Sequence, residues 1–214
     1  MHRLPATLSF AEAAMLEPTA VALHAVRVSG LRPGEIALVL GAGMIGLLTL
    51  QAARGAGCSR VLIADVDVTR LNLAKQIGAE EILHSSAADL VAEVLRLTNG
   101  GGVDLVFEAV GRNETVAAAI DCTRKGGAVT LVGNIATEVT FPLQKVVTRQ
   151  LRLQGSCASA GEYPEAIELV ASGKIQVKPL ITAVASLEQG PQWFPRLHER
   201  EPNFIKLILG PNLA

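Results

Sequence analysis

A glycine turn set between an apolar strand and an uncharged helix constrains this chain more than any other feature of its sequence. Leu40-Gly41-Ala42-Gly43-Met44-Ile45-Gly46 spells G-x-G-x-x-G. The short apolar run before it, residues 36–40, reads as a buried strand, and the run after it reads as a helix ending near Gly55 or Gly57. The next apolar run, 61–65, closes on Asp65, nineteen residues past Gly46. Strand, glycine turn, helix, strand and terminal acid together supply the context that a dinucleotide fingerprint requires. In that role Gly41 permits the tight turn, Gly43 lets a pyrophosphate reach the backbone, and Gly46 lets helix and strand lie close. The helix N-terminus at Met44 and Ile45 offers free amides and a positive dipole end to the phosphates. No Gly-Lys-Ser/Thr follows, which excludes a Walker-type loop. The competing explanation is three glycines used for packing alone.

Asp65 selects between dinucleotides. A carboxylate at that strand end accepts hydrogen bonds from both ribose hydroxyls of NAD. Against a 2′-phosphate it would place like charges at about 4 Å, costing roughly 1–4 kcal/mol per pair at a surface-like dielectric. NAD is therefore expected over NADP. Arg70 could instead grip a phosphate, or lie solvated on its helix. Asp65 could also cap the following helix, although Asp67 is the better placed cap.

The rest of the chain alternates in the same way. Strands are expected at 36–40, 61–65, 81–84, 103–108, 128–132, 151–155 and 205–209. Helices are expected at 69–77, 87–97, 114–123 and 163–172, after a Ser9-to-Glu12 capping box and a helix running to about residue 28. Short, wholly apolar strands joined through helices give an α/β fold with a doubly wound parallel sheet. The uncharged run 36–53 is long enough to invite a membrane reading, but strand, turn and buried helix explain it. Composition removes other classes. Lys+Arg is 19 and Asp+Glu is 20, so no basic excess exists to hold nucleic acid, and five Phe, one Trp and one Tyr make no stacking platform. Three separated cysteines form no C-x-x-C pair; Cys122 and Cys157 read as small buried hydrophobes, and the default is a reducing cytoplasm.

With these residues in place, the chain resembles the medium-chain zinc-dependent alcohol dehydrogenases, in their sorbitol and threonine dehydrogenase branch. The likeness is carried by Leu16-Glu17-Pro18-Thr19-Ala20, the glycine turn, Asp65 with Arg70-Leu71, Gly78-Ala79, Glu108-Ala109-Val110-Gly111, Gly126-Gly127, Val132-Gly133 and Ile205-Lys206-Leu207. It implies a Rossmann fold and hydride transfer between an alcohol or polyol and NAD. It also implies that Val110-Gly111 and Val132-Gly133 approach the adenosine and nicotinamide parts of the cofactor through backbone groups; strand-end packing is the alternative use of those glycines. Glu108 is either a buried acid or a strand-end carboxylate facing the crevice. Lys125, Lys145 and Arg149 are expected to be solvated.

The chain departs from that family where the metal should be. It carries no Gly-His-Glu motif and no four-cysteine lobe, and His2, His24, His84 and His198 lack ligand spacing. Resemblance places Glu17 at the catalytic zinc; by itself it is a carboxylate at a helix start. The expected division is a helical lead-in at 1–30, an NAD-binding domain at 31–184 and a C-terminal helix and strand at 185–214. The two flanking pieces are then remnants of a catalytic domain. Zinc is expected only if the missing catalytic part is supplied, by a separate catalytic-domain chain for example. Self-association is also expected, with no nucleic acid and no membrane. The alternatives are a non-enzymatic NAD-binding module and an inactive fragment.

Overall fold

The computed structural model describes residues 2–85, 89–199, 201 and 203–211. Two helices lead in, α1 (Phe10–Ala13) and α2 (Leu16–Ser29). The alternating body follows with β1 (Ile36–Leu40), α3 (Met44–Gly55), β2 (Arg60–Asp65), α4 (Val68–Gln76), β3 (Glu81–His84) and α5 (Leu90–Leu97). It continues through β4 (Val103–Glu108), α6 (Asn113–Cys122), β5 (Thr123–Leu131), α7 (Leu143–Thr148), β6 (Arg152–Gly155) and α8 (Tyr163–Ala171). The chain ends in β7 (Ala183–Ser186), α9 (Gly190–His198) and β8 (Leu207–Gly210). The sequence pattern missed α7 and β7, and part of the helix expected at 87–97 lies outside the described residues.

Six strands form one parallel sheet in the order β3-β2-β1-β4-β5-β6. The doubly wound reading holds. β7 and β8 pair separately, also in parallel. Alternate residues of each strand feed opposite faces, the pattern of strands covered on both sides. Val39, Ile63 and Phe107 join a core built with α2, α3 and α8, while Leu38, Leu62 and Val106 join one built with α5 and α6. The chain winds outward from β1 to β3, then crosses back to β4. The glycine turn therefore opens at the sheet's switch point, where the carboxyl ends of β1 and β4 part.

Helix termini divide by charge. At the sheet's other edge, arginines donate to the last carbonyls of four helices. Arg60 reaches Leu97 O at 3.0 Å, Arg149 reaches Ile120 O at 3.0 Å, Arg54 reaches Ile77 O at 3.4 Å, and Arg152 reaches Ser29 O. Arg149 is thus fixed at the end of α6 rather than solvated, and Lys145 pairs with Asp121 at 2.6 Å. The positive helix starts face the opposite edge, beside the glycine turn.

Helix α2 is fastened to α8 by a buried acid. Glu162 has no exposed side-chain surface; its Oε1 lies 3.0 Å from His24 Nδ1 and accepts from Arg27 at 2.8 Å, and its Oε2 accepts from Ala160 N at 2.5 Å. Burial pushes its carboxyl up, but the bonds from His24 and Ala160 outweigh burial and leave it below the ordinary range. A lowered folded value contributes stability above the unfolded carboxylate value near 4.3, and that contribution fades as pH falls through the folded value. We expect Glu162→Gln to cost about 1–3 kcal/mol at pH 7, with the two melting curves converging below pH 4. A gap that persists undiminished at pH 3 would contradict this assignment.

Candidate functional site

The glycine turn owes its shape to two of its three glycines. Gly41 has φ +98°, a backbone conformation that penalises side chains, and a Cβ there would lie 2.8 Å from Val110 Cγ2. A Cβ on Gly46 would overlap the carbonyl oxygen of Gly41. Both are required by the fold itself. Gly43 differs: its φ of −74° suits any residue, and a Cβ there would meet nothing within 4 Å. It is the N-cap of α3, a position where glycine falls only a few tenths of a kcal/mol behind Ser, Thr, Asp or Asn. Packing does not require glycine here, and its bare backbone leaves the first-turn amides open to an approaching ligand. Met44, Ile45 and Gly46 follow as the first turn of α3, whose amides have no partner within the helix and which carries no acidic side chain.

Asp65 ends β2 beside this turn and is tied into it. Its Oδ2 accepts from Ala42 N at 2.6 Å and its Oδ1 from Asp67 N at 2.9 Å. Each oxygen retains a second lone pair for a donor. Asp67 caps α4 by accepting from Thr69 N and Arg70 N. Arg70 lies half-exposed on α4, with Nε 3.6 Å from Asp67 Oδ2. His84, at the end of β3, stands opposite Asp65 in register.

On the far side of the turn, the loops after β4 and β5 press together. Gly111 has φ +82°, and a Cβ on it would lie 2.5 Å from Gly133 C; a Cβ on Gly133 would overlap Val110 and Gly111 backbone. Both glycines are thus required by close approach of two strand ends, and Val110 and Val132 are held on that shared ridge. Glu108 is fully buried beneath it, its carboxylate accepting from Val110 N and Gly111 N. The structure brings Gly41, Gly43, Met44, Ile45, Gly46, Asp65, Val110, Gly111, Val132 and Gly133 to the carboxyl edge of β1, β2, β4 and β5, with Arg70 just outside on α4. The Ala42 amide bond to Asp65 and the embedding of Glu108 left no sequence signal beyond an acid closing an apolar strand.

Glu17 is elsewhere, exposed in the first turn of α2. Among the described residues no group of three or more His, Cys, Asp or Glu is placed to hold a metal ion. A lone exposed carboxylate does not fit zinc, which needs at least three protein ligands. Burial pushes the Cys58 and Cys122 thiols up to about 12, leaving them inert. Cys157, contrary to the sequence expectation, is exposed after β6. A groove of about 850 Å³ between α2, α3 and α8 contains none of the glycine-turn residues, and its Arg27 and Glu165 pair with each other at 2.9 Å. No helix of the described residues is long and apolar enough to cross a membrane; the uncharged run 36–53 is spent on β1, the turn and α3.

Known proteins share this architecture. The zinc-binding dehydrogenase family profile matches residues 45–172. A grape (Vitis vinifera) L-idonate 5-dehydrogenase is 41% identical over 184 residues, covering 84% of this chain. The crystal structure of an Escherichia coli oxidoreductase of unknown specificity superposes with a TM-score of 0.93 at 30% identity over 98% of the chain. A zinc-binding dehydrogenase from Sinorhizobium meliloti, solved bound to NADP, superposes at 0.88 with 32% identity over 98% of the chain. The chain spans 50% of the grape relative's length and 60% and 62% of the two structures.

Proposed function

Because this chain belongs to the zinc-binding dehydrogenase family, we propose that it binds NAD across the glycine turn and serves hydride transfer between NAD and a small alcohol or polyol. The observation that carries this reading is Gly43, a helix N-cap left bare where neither backbone nor packing demands it. The amides of α3 would hold the pyrophosphate and Asp65 the adenosine ribose, with Val110, Gly111, Val132 and Gly133 along the remaining half. NAD supplies the hydride acceptor. The chain's own part is to orient that acceptor and to keep charge and water off its buried strand-end face.

Oxidation of an alcohol within a polyhydroxylated carbon chain is supported by the grape relative's name as an L-idonate 5-dehydrogenase. The Sinorhizobium relative was solved with NADP, so the fold alone does not select NAD; the choice rests on local residues, and Asp65 favours NAD. By resemblance Glu17 is the position beside a family zinc site, and alone and exposed in the first turn of α2 it would not hold the metal by itself. The division at 1–30, 31–184 and 185–214, a separate catalytic-domain chain and a cytoplasmic setting belong to the same reading. Titration calorimetry with NAD and NADP tests it, with EDTA present to remove any dependence on metal. We expect NAD to bind at least ten-fold more tightly; equal or tighter NADP binding defeats the role given to Asp65, and no binding of either defeats the site.

Self-association is part of the proposal. β6 is the outermost strand of the large sheet, with an open row of backbone groups, and Ile135, Leu143 and Val147 are exposed in the segment leading to it. Burying a few hundred Å² there at about 25 cal/mol per Å² contributes several kcal/mol before association costs. Sedimentation at micromolar concentration should show dimers or larger species; a monomer at every concentration would refute it.

A further inference from the structure

We infer that Glu108 is a positioning residue for the nicotinamide half of the cofactor, acting through the two loops that its carboxylate and its own carbonyl fasten together. This rests on the dinucleotide reading above. The strand order sets the cofactor's direction: Asp65 on β2 takes the adenosine ribose and the turn after β1 takes the pyrophosphate, so the remaining half passes over β4 and β5.

Those two strand ends are joined at one residue. The Glu108 carboxylate accepts from Val110 N at 3.0 Å and from Gly111 N at 2.9 and 3.0 Å, while its backbone carbonyl accepts from Val132 N at 2.8 Å and Gly133 N at 2.9 Å. Glu108 is fully buried, and among the described residues no cationic side chain pairs with it. A buried carboxylate is costly unless donors surround it, and here the donors are the backbone of the ridge itself. An apolar residue would leave the Val110 and Gly111 amides without an acceptor, so the acid both satisfies these donors and fixes where they lie. What the acid adds is a fixed path for residues 109–111, drawn back under the β4 end and locked against Gly133. Val110 is thereby held against Gly41 on one side and the β5 loop on the other.

The test compares two ligands on three proteins. NADH binding is followed by the rise in nicotinamide fluorescence, and ADP-ribose, which lacks the nicotinamide ring, is followed by calorimetry. For Glu108→Val we expect NADH to bind at least ten-fold more weakly with little fluorescence enhancement, while ADP-ribose binding stays within about two-fold. Glu108→Gln, which keeps one acceptor oxygen, should lose NADH affinity by about three-fold, less than the valine variant, with ADP-ribose binding unchanged. If the valine variant fails to fold, that NADH-specific loss in Glu108→Gln carries the proposal. Parallel loss of both ligands would reduce Glu108 to a structural residue, and unchanged NADH binding would overturn the proposal outright. A wild-type chain that binds neither ligand would overturn the cofactor reading itself, and this inference with it.

Discussion

Replacing Asp65 with alanine is expected to lower NAD affinity by roughly 100-fold or more and to erase the preference over NADP. In the proposed complex the carboxylate accepts two hydroxyl bonds of the ribose, and hydrogen bonds to a charged group contribute about 1.5–3 kcal/mol each. NADP gains from the same change, because the like-charge repulsion of roughly 1–4 kcal/mol disappears. The two effects act on opposite ligands, so the ratio of affinities moves further than either affinity alone. Some of the NAD loss will be indirect. Asp65 also accepts from Ala42 N at 2.6 Å and Asp67 N at 2.9 Å, and alanine leaves both amides to water. Asp65→Asn separates these contributions, since its side-chain oxygen can still accept from one amide while the charge is gone. Calorimetry with both cofactors on the wild type and the two variants provides the check. An alanine variant that still prefers NAD by ten-fold would show that discrimination lies elsewhere, with Asp67, Arg70 and His84 among the charged or titratable residues placed beside it.

How much of this was legible beforehand depended on whether a feature was local. β1, β3 and β4 fell at the ends the sequence pattern gave them, because each is a short apolar run between turn residues. The capping box from Ser9 to Glu12 and the Asp67 cap are also local devices, and both are present. The short strand β7, with only one buried position, and the six-residue α7, with no buried residue, have no periodicity strong enough to read. Tertiary partners were invisible. Nothing in the sequence distinguishes the arginines at 54, 60, 149 and 152 from solvated ones, since each is fixed by a helix end remote in sequence or folded back on it. The acid at 162 reads as a surface residue before a helix until α2 is laid against it. For the site, residue identity was readable and the reason for it was not: Gly111 and Gly133 look like ligand glycines, yet the approach of two strand ends already requires both.

The largest separation of folding from binding is expected within the glycine turn itself, between Gly43→Ala and Gly46→Ala. At Gly43 the backbone already suits alanine and the added methyl meets nothing within 4 Å. Trading glycine for alanine there removes freedom from the unfolded chain, worth about 0.4–1 kcal/mol, but gives up glycine's advantage as an N-cap, which is of similar size. The melting temperature should therefore move by no more than a few degrees. Binding should not survive. The methyl stands in the space through which a phosphate reaches the first-turn amides, and excluding the phosphate forfeits several charge-assisted bonds at about 1.5–3 kcal/mol each. A fall in NAD affinity of a hundred-fold or more is the expected result. Gly46→Ala runs the other way. Its methyl overlaps the Gly41 carbonyl, a backbone atom that no side-chain rotation can move aside. Either α3 lifts from β1 or the turn deforms, and overpacking of this kind costs typically 1–3 kcal/mol and more where backbone must shift. Thermal melts and NAD titrations on both variants give four numbers, and the pattern matters more than any one of them. If Gly43→Ala binds NAD like the wild type, the open face of that glycine is not where the cofactor lies. If instead Gly43→Ala melts well below the wild type, glycine is needed there for the fold, and its bare backbone no longer points to a ligand.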